Sequence, residues 1–341
     1  MTYYTGIDVS LEASHFCVVD ASGSVVREVR VPSEPEAFLA WFAQAGLEMT
    51  TIGLEAGPLS QWLHAAMRDA GLPSVLLETR QVRDAFRSMP VKTDRKDARG
   101  IAQLLRMGWY RRVHCKSPDA QECRTLLAAR RVLQSKVHDI EMSLRGLLRG
   151  YGLKIGATTR KTFAGRVLEL AKAVPGLAEV FDALLAARAA LVEQFRILDA
   201  RMLARARADQ RAQLLMTVPG VGPLISLTFV AAIDDPARFS SSRTVGAHLG
   251  LTQRKYQSGE IDVTGRISKC GDGECRHALF EAANVILTRP VKGSQLKSWA
   301  ARLAKRAGMK KAKVALARKL AVIMHRMLTD GTCFEPGLAA A

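Results

Sequence analysis

The chain has 341 residues, 48% hydrophobic and 24% charged, the balance of a folded globular protein rather than a disordered one. Its longest nearly apolar run, Leu224 to Ile233, falls well short of the roughly 20 residues a membrane-spanning helix needs. Fifty Lys and Arg oppose 32 Asp and Glu, a net charge of +18, and the excess is clustered. Residues 80–131 carry 14 basic and five acidic side chains, and residues 292–326 carry 11 basic and none acidic, so the remainder is near neutral. Two basic segments on a near-neutral body point to a polyanionic partner, most often nucleic acid.

The first hundred residues alternate short strands and helices. Tyr3 to Val9 reads as a strand. His15–Asp20 and Val25–Val31, joined by Ala21-Ser22-Gly23-Ser24, read as a hairpin. Pro35 to Ala45 reads as a helix, Thr51 to Glu55 as a strand, Leu59 to Ala70 as a helix closed by Gly71, and Ser74 to Leu77 as a strand. This order predicts an α/β domain over residues 1–117, a mixed sheet with helices packed on it. Ala120 to Leu148 then repeats Leu126, Leu127, Leu133, Val137, Ile140, Leu144 and Leu148 on one helical stripe. Leu177 to about Gln213 places Leu184, Leu191, Phe195, Leu198 and Met202 near an a/d seam, and Gly150 to Pro175 connects the two. Such a pair, over 118–213, makes an antiparallel arm or part of a compact bundle. The remainder, 214–341, is mainly helical, with a Gly/Ser-rich stretch at 240–273 and a basic helical region from Leu296 to Leu328 interrupted at Gly308.

Four carboxylates stand out. Asp8 closes the first strand, in Gly6-Ile7-Asp8-Val9-Ser10, and Glu55 closes a later one, in Leu54-Glu55-Ala56-Gly57. Asp94 and Asp97, in Lys92-Thr93-Asp94-Arg95-Lys96-Asp97, share a face in the first turn of a helix. Each alone has an ordinary explanation, as a cap or a surface ion pair. As a set in a basic protein they fit hard divalent cations, Mg²⁺ above all, and two-metal phosphoryl chemistry. Lys92, Arg95 and Lys96 would hold a phosphate backbone beside them.

The cysteines, at 17, 115, 123, 270, 275 and 333, are too sparse for a disulfide framework and fit a reducing compartment. Cys270 and Cys275, with His277 nearby, lack the four-ligand spacing of a zinc site. The N-terminus has no basic segment followed by an apolar one, so no secretory signal is expected. Val218-Pro219-Gly220-Val221-Gly222-Pro223 reads either as a phosphate-contacting helix–hairpin–helix turn or as a plain tight turn. Ser258 and Ser268 lie among Arg254, Lys255, Arg266 and Lys269, cations able to stabilise charge on an attacked phosphate, although serines in Gly-rich loops often only shape turns.

Together, Gly6-Ile-Asp8-Val-Ser, Leu54-Glu55-Ala-Gly, Lys92-Thr-Asp94-Arg-Lys-Asp97-Ala, Val218-Pro-Gly-Val-Gly222, Gly250-Leu-Thr through Tyr256-Gln-Ser258-Gly259, and Ile267-Ser-Lys-Cys-Gly271 resemble the DEDD-type transposases of bacterial insertion sequences. That family includes the Piv/MooV-like DNA invertases. The resemblance implies a RuvC-like (RNase H-like) domain whose Asp8, Glu55, Asp94 and Asp97 bind Mg²⁺, a coiled-coil arm, and a C-terminal transposase domain. It implies a serine nucleophile, by position Ser258 with Ser268 in reserve, and a 5′-phosphoserine link to DNA. It also implies a bridge-type guide RNA pairing with donor and target DNA, a tetramer with active sites shared between subunits, and a cytoplasmic, nucleoid-associated location. Arg254, Lys255, Tyr256, Arg266 and Lys269 then become nucleic-acid contacts, with Lys310, Lys311 and Lys313 in the basic tail. The alternatives are a RuvC-like nuclease that uses water, and a non-catalytic nucleic-acid-binding protein.

Overall fold

The structure is a computed structural model, and it describes residues 2–87, 91–290 and 294–336. Lys292, part of the basic tail, lies outside the described residues. The chain divides into two compact units, residues 1–116 and 117–341.

The first unit is built on strands β1 (Tyr3–Asp8), β2 (Ala13–Asp20), β3 (Val25–Pro32), β4 (Met49–Glu55), β5 (Ser74–Leu77) and the two-residue β6 (Arg112–Val113). Their order in the sheet is β3-β2-β1-β4-β5-β6. β1, β4 and β5 run parallel; β2 is antiparallel to β1, β3 is antiparallel to β2, and β6 is antiparallel to β5. This is the mixed, RuvC-like sheet that the resemblance implies. Helices α1 (Pro35–Ala45) and α2 (Ser60–Asp69) cover one face, where Phe38, Phe42, Leu63 and Met67 pack on Ile7, Ile52 and Leu54. Alternation along a strand sends the neighbours of those residues, Gly6 and Asp8 on β1 and Gly53 and Glu55 on β4, to the other face. There, after α3 (Thr79–Phe86), helix α4 (Asp94–Arg106) lies against the sheet.

The approach of α4 is unusually close. Gly6 and Gly53 are register partners on adjacent strands. A Cβ at Gly6 would overlap the carbonyl oxygen of Ala98 and the amide nitrogen of Ala102, both backbone atoms of α4. A Cβ at Gly53 would come within 2.8 Å of Leu105 and Leu77. Small residues on both surfaces, with Ala98 and Ala102 fully buried, therefore set the distance between helix and sheet.

The second unit begins with α5 (Pro118–Arg149), which packs along α7 (Ala178–Ala208). The pair is antiparallel: Arg205, near the end of α7, meets Asp119 at the start of α5, Asp199 meets Arg130, and Arg188 meets Glu141. The α5 stripe is buried or half-buried as expected. On α7, Phe195 and Met202 are buried, whereas Leu184, Leu191 and Leu198 lie half-buried beside a seam formed by Phe181, Leu185 and Arg188. The expected single helix to Gln213 is broken at Asp209, whose carboxylate accepts from the amides of Arg211 and Ala212 and caps α8 (Gln210–Leu215). The segment read as a connection holds α6 (Phe163–Ala171), which closes a small core with Leu144, Leu148 and Phe181. The main core of this unit joins α9 (Pro223–Ile233), the single turn α10 (Val245–His248), α11 (Gly273–Thr288), α12 (Gln295–Ala307) and α13 (Met309–Asp330). α12 and α13 part at Gly308, as the sequence suggests. Two strands, β7 (Gln253–Ser258) and β8 (Ile261–Ile267), stand apart from that core as an exposed hairpin.

Gly6→Ala should destabilise the protein by about 3 kcal/mol, since the added methyl meets backbone that cannot turn aside. Gly165→Ala, on an open helical surface, should be neutral or stabilising by up to about 1 kcal/mol. Urea denaturation followed by tryptophan fluorescence compares the two.

Candidate active site

Asp8 and Glu55 end adjacent parallel strands, because Ile7 pairs with Leu54 one residue earlier. α4 starts at the same edge and runs back down the sheet, so its first turn carries Asp94 and Asp97 over Asp8. Its N-cap is Thr93, whose hydroxyl accepts from the Lys96 amide, which leaves both aspartates uncommitted to capping. All four sequence-predicted acids thus meet at one edge.

Their electrostatics show the crowding. Asp8 is pushed up from an ordinary 3.8 to about 6, first by burial and then by repulsion from Asp97 and Asp94. Glu55 is raised by burial first and by Asp8 next. Asp97 is buried, and its Oδ1 accepts no hydrogen bond. Its Oδ2 lies 3.6 Å from the Lys92 ammonium. His15, the cross-strand partner of Asp8, places Nδ1 3.8 Å from Asp94. Among the described residues, no three carboxylate, His or Cys side chains converge into a ready-made metal cage. Yet a buried carboxylate oxygen without a donor, among mutually repelling acids, is the donor set a hard divalent cation takes. The site therefore fits such an ion, and binding would draw the acids together.

His15 is the residue that sequence reasoning missed. It sits in a strand seven positions after Asp8, and only the hairpin pairing reveals its place. Of the basic residues expected to hold phosphate, Lys96 is exposed. Arg95 is instead paired with Glu28 on β3, tying α4 to the sheet.

The serine motif belongs to the second unit. Ser258 ends β7, exposed, with no hydrogen bond to its hydroxyl among the described residues. A turn at Gly259, with φ of 56°, leads into β8. The Gly-rich loop expected here is in fact this hairpin. Tyr256, Ile261 and Val263 are exposed on it, and Lys255 pairs with Asp262 at 3.1 Å. Ser268 lies at the hairpin root, where its hydroxyl accepts from the Cys270 amide and its carbonyl accepts from Arg254. The motif glycines there are structural. A Cβ at Gly250 would overlap the Cys270 backbone, and one at Gly271 would overlap the His248 carbonyl. Arg276 donates to the carbonyls of Leu249 and Cys270, both at 2.9 Å, and locks the two loops together. Gly220, with φ of 83°, turns the chain against Ile286 and Ala282 of α11, a packing role. Lys313 lies over the Phe280 ring, 5.9 Å from its centroid, while Arg266, Lys269, Lys310 and Lys311 border one cleft.

Comparison with known proteins bears on both units. A transposase family of the IS110 DEDD type matches residues 5–153, and the transposase family IS116/IS110/IS902 matches residues 212–298. The transposase for insertion sequence element IS1111A of Coxiella burnetii is 30% identical over 339 residues, 97% of this chain and 91% of its own. The chain belongs to the IS116/IS110/IS902 transposase family. The IS1328 transposase of Yersinia enterocolitica is 32% identical over 146 residues, 42% of this chain and 44% of its own. The pilin gene-inverting protein of Moraxella bovis is 35% identical over 79 residues, 23% of this chain and 24% of its own. Among solved structures, T. thermophilus RuvC with a Holliday junction substrate covers 33% of this chain and 100% of its own, at 15% identity and a TM-score of 0.26. The mixed sheet of the first unit, in the order β3-β2-β1-β4-β5-β6, is what defines its fold. This transposase is thus a DNA-recombining enzyme, and among the described residues no helix is long and apolar enough to cross a membrane.

The raised Asp8 pKa sets a pH dependence. A carboxyl that binds its proton more tightly folded than unfolded favours the folded state at low pH, and that advantage is lost as pH rises from about 4 to about 6. In metal-free protein, Asp8→Asn should therefore raise the melting temperature at pH 8 and leave it unchanged near pH 3.5. A divalent cation should stabilise the wild type more at pH 8 than at pH 5. Differential scanning fluorimetry reads all of these.

Proposed function

We propose that this transposase is an RNA-guided recombinase of an insertion sequence, cutting and rejoining donor and target DNA through a serine–DNA intermediate. The observation that carries the reading is the gathering of Asp8, Glu55, Asp94 and Asp97 at one sheet edge, with a buried Asp97 oxygen left without a donor. The exposed hydroxyl at the end of β7 supports Ser258 as the nucleophile, whereas Ser268 is engaged at the hairpin root.

Mg²⁺ held by the four acids would polarise the attacked phosphodiester and neutralise its developing charge. In the step itself, Ser258 Oγ gives up its proton and bonds to phosphorus. The P–O3′ bond breaks, and the 3′ oxygen leaves with a proton. The result is a free 3′-hydroxyl and a 5′-phosphoserine. A second DNA 3′-hydroxyl then attacks the phosphoserine and releases the serine, so no high-energy cofactor is consumed. Lys92 and Lys96 beside the acids, and Arg254, Lys255 and Tyr256 on the hairpin, would hold the DNA backbone. With a bridge-type RNA pairing to both DNAs, sequence would be read by base pairing rather than by side chains. The helix pair over 118–213 would serve as a coiled-coil assembly arm in a tetramer acting on the bacterial chromosome in the cytoplasm.

The test is a denaturing gel of protein with Mg²⁺, element-derived RNA and labelled donor and target DNA. Wild type should give a DNA band shifted by the mass of the protein. Ser258→Ala and Asp97→Asn should both abolish it. Cleaved DNA without a shifted band would replace the recombinase by a nuclease that uses water. A shifted band persisting in Ser258→Ala would move the nucleophile to Ser268.

A further inference from the structure

In the second unit a cleft of about 1150 Å³ opens between the hairpin root, α12 and α13. Its composition is uneven in a way that suggests a ligand. The floor is predominantly apolar, formed by Trp299 and Leu303 of α12 and by Val314 and Val322 of α13. The rim is cationic. Arg266 and Lys269 reach it from the hairpin side, and Lys310, Lys311, Arg318 and Lys319 from α13. No carboxylate lines it among the described residues. Lys319 holds its ammonium 4.7 Å from the centre of the Trp299 ring.

Duplex nucleic acid offers a protein mainly phosphates and base edges, and a cationic rim alone would serve it. An apolar floor with an indole needs the flat faces of unpaired bases, which stack on aromatic and apolar side chains while phosphates follow a basic edge. The volume exceeds that of a single small ligand, since ordinary small-molecule pockets hold roughly 300–1000 Å³. The geometry points to a binding site for a short unpaired stretch of nucleic acid, with bases against Trp299 and the α12/α13 floor and phosphates on the rim. An entering base would replace Lys319 at the indole face and free that ammonium for a phosphate. Because β8 forms one wall, the unpaired segment would lie at the root of the hairpin that carries Ser258. The inference rests on the nucleic-acid reading above and goes beyond it by assigning single-strand recognition to this cleft.

Fluorescence anisotropy of the full-length protein, with labelled oligo(dT), oligo(U) of equal length and a duplex, tests it. Trp299→Ala should weaken oligonucleotide binding roughly tenfold, the effect of removing one stacked base, and change duplex binding by less than about twofold. Ala315→Trp, which fills the floor without removing a core side chain, should do the same, and the melting temperature of each variant checks its fold. The oligonucleotide held more tightly, DNA or RNA, identifies the source of the segment. Photocross-linking of a 4-thiouridine oligonucleotide should label peptides of α12 or α13. Unchanged oligonucleotide binding in both variants, or a parallel loss for the duplex, would overturn the assignment. So would a change in the sedimentation of free Ala315→Trp with oligonucleotide binding intact, which would give the cleft to a second copy of the chain. If wild type binds neither oligonucleotide nor duplex, the broader nucleic-acid reading fails with it.

Discussion

The acid site depends on the near-contact between α4 and the sheet. Gly6 and Gly53 are adjacent across β1 and β4, each two residues before an acid and on the same face. With no side chain at either position, the helix backbone descends onto the strands, and its first turn arrives level with Asp8 and Glu55. Any Cβ at Gly6 would lift the helix. The Arg95–Glu28 pair ties the same turn to β3. Gly100 extends the device to the outer side of α4, where a Cβ would meet the Phe86 ring at 2.5 Å, so α3 closes on the helix as the helix closes on the sheet.

Close packing of this kind holds charges where they would not stay alone. Half-burial raises Asp8 and Glu55, and each is pushed further by its neighbours. The backbone contacts beneath them resist that repulsion. Lys92 and His15 relieve it in part, since both favour ionised Asp8. Such a strained, partly neutralised cluster is poised for a doubly charged ion, which relieves more repulsion than one ammonium can.

Much of this was legible in the sequence, for physical reasons. An acid closing an apolar strand, and a helix opening on Thr-Asp-Arg-Lys-Asp, are local patterns, so both pairs of acids could be placed on their elements. What required the fold was pairing. His15 joins the site only through the β1–β2 register, and β6 is two residues long and has no periodicity to read. The break at Asp209 reflects a single side chain capping a new helix, a local hydrogen bond set against an otherwise continuous apolar pattern. α6 was hidden in a segment whose Gly and Thr residues mimic a loop. The β7–β8 hairpin escaped because every residue of β7 is exposed, so burial imposes no alternation on Gln253 to Ser258.

That exposure bears on how the hairpin keeps its shape. A two-stranded ribbon is marginally stable by itself, and this one lies beyond the core that the helices form. Its order must come from its root. There Gly250 and Gly271 bring two loops into backbone contact, and Arg276 bridges their carbonyls. Lys269 takes a left-handed φ of 54° beside them, a strained conformation that the surrounding contacts hold in place. The motif glycines of the two units therefore do the same physical work. In the first they let a helix reach a sheet and bring acids together. In the second they clamp the base of a ribbon, so that Ser258 stands clear of its own unit while its attachment stays fixed.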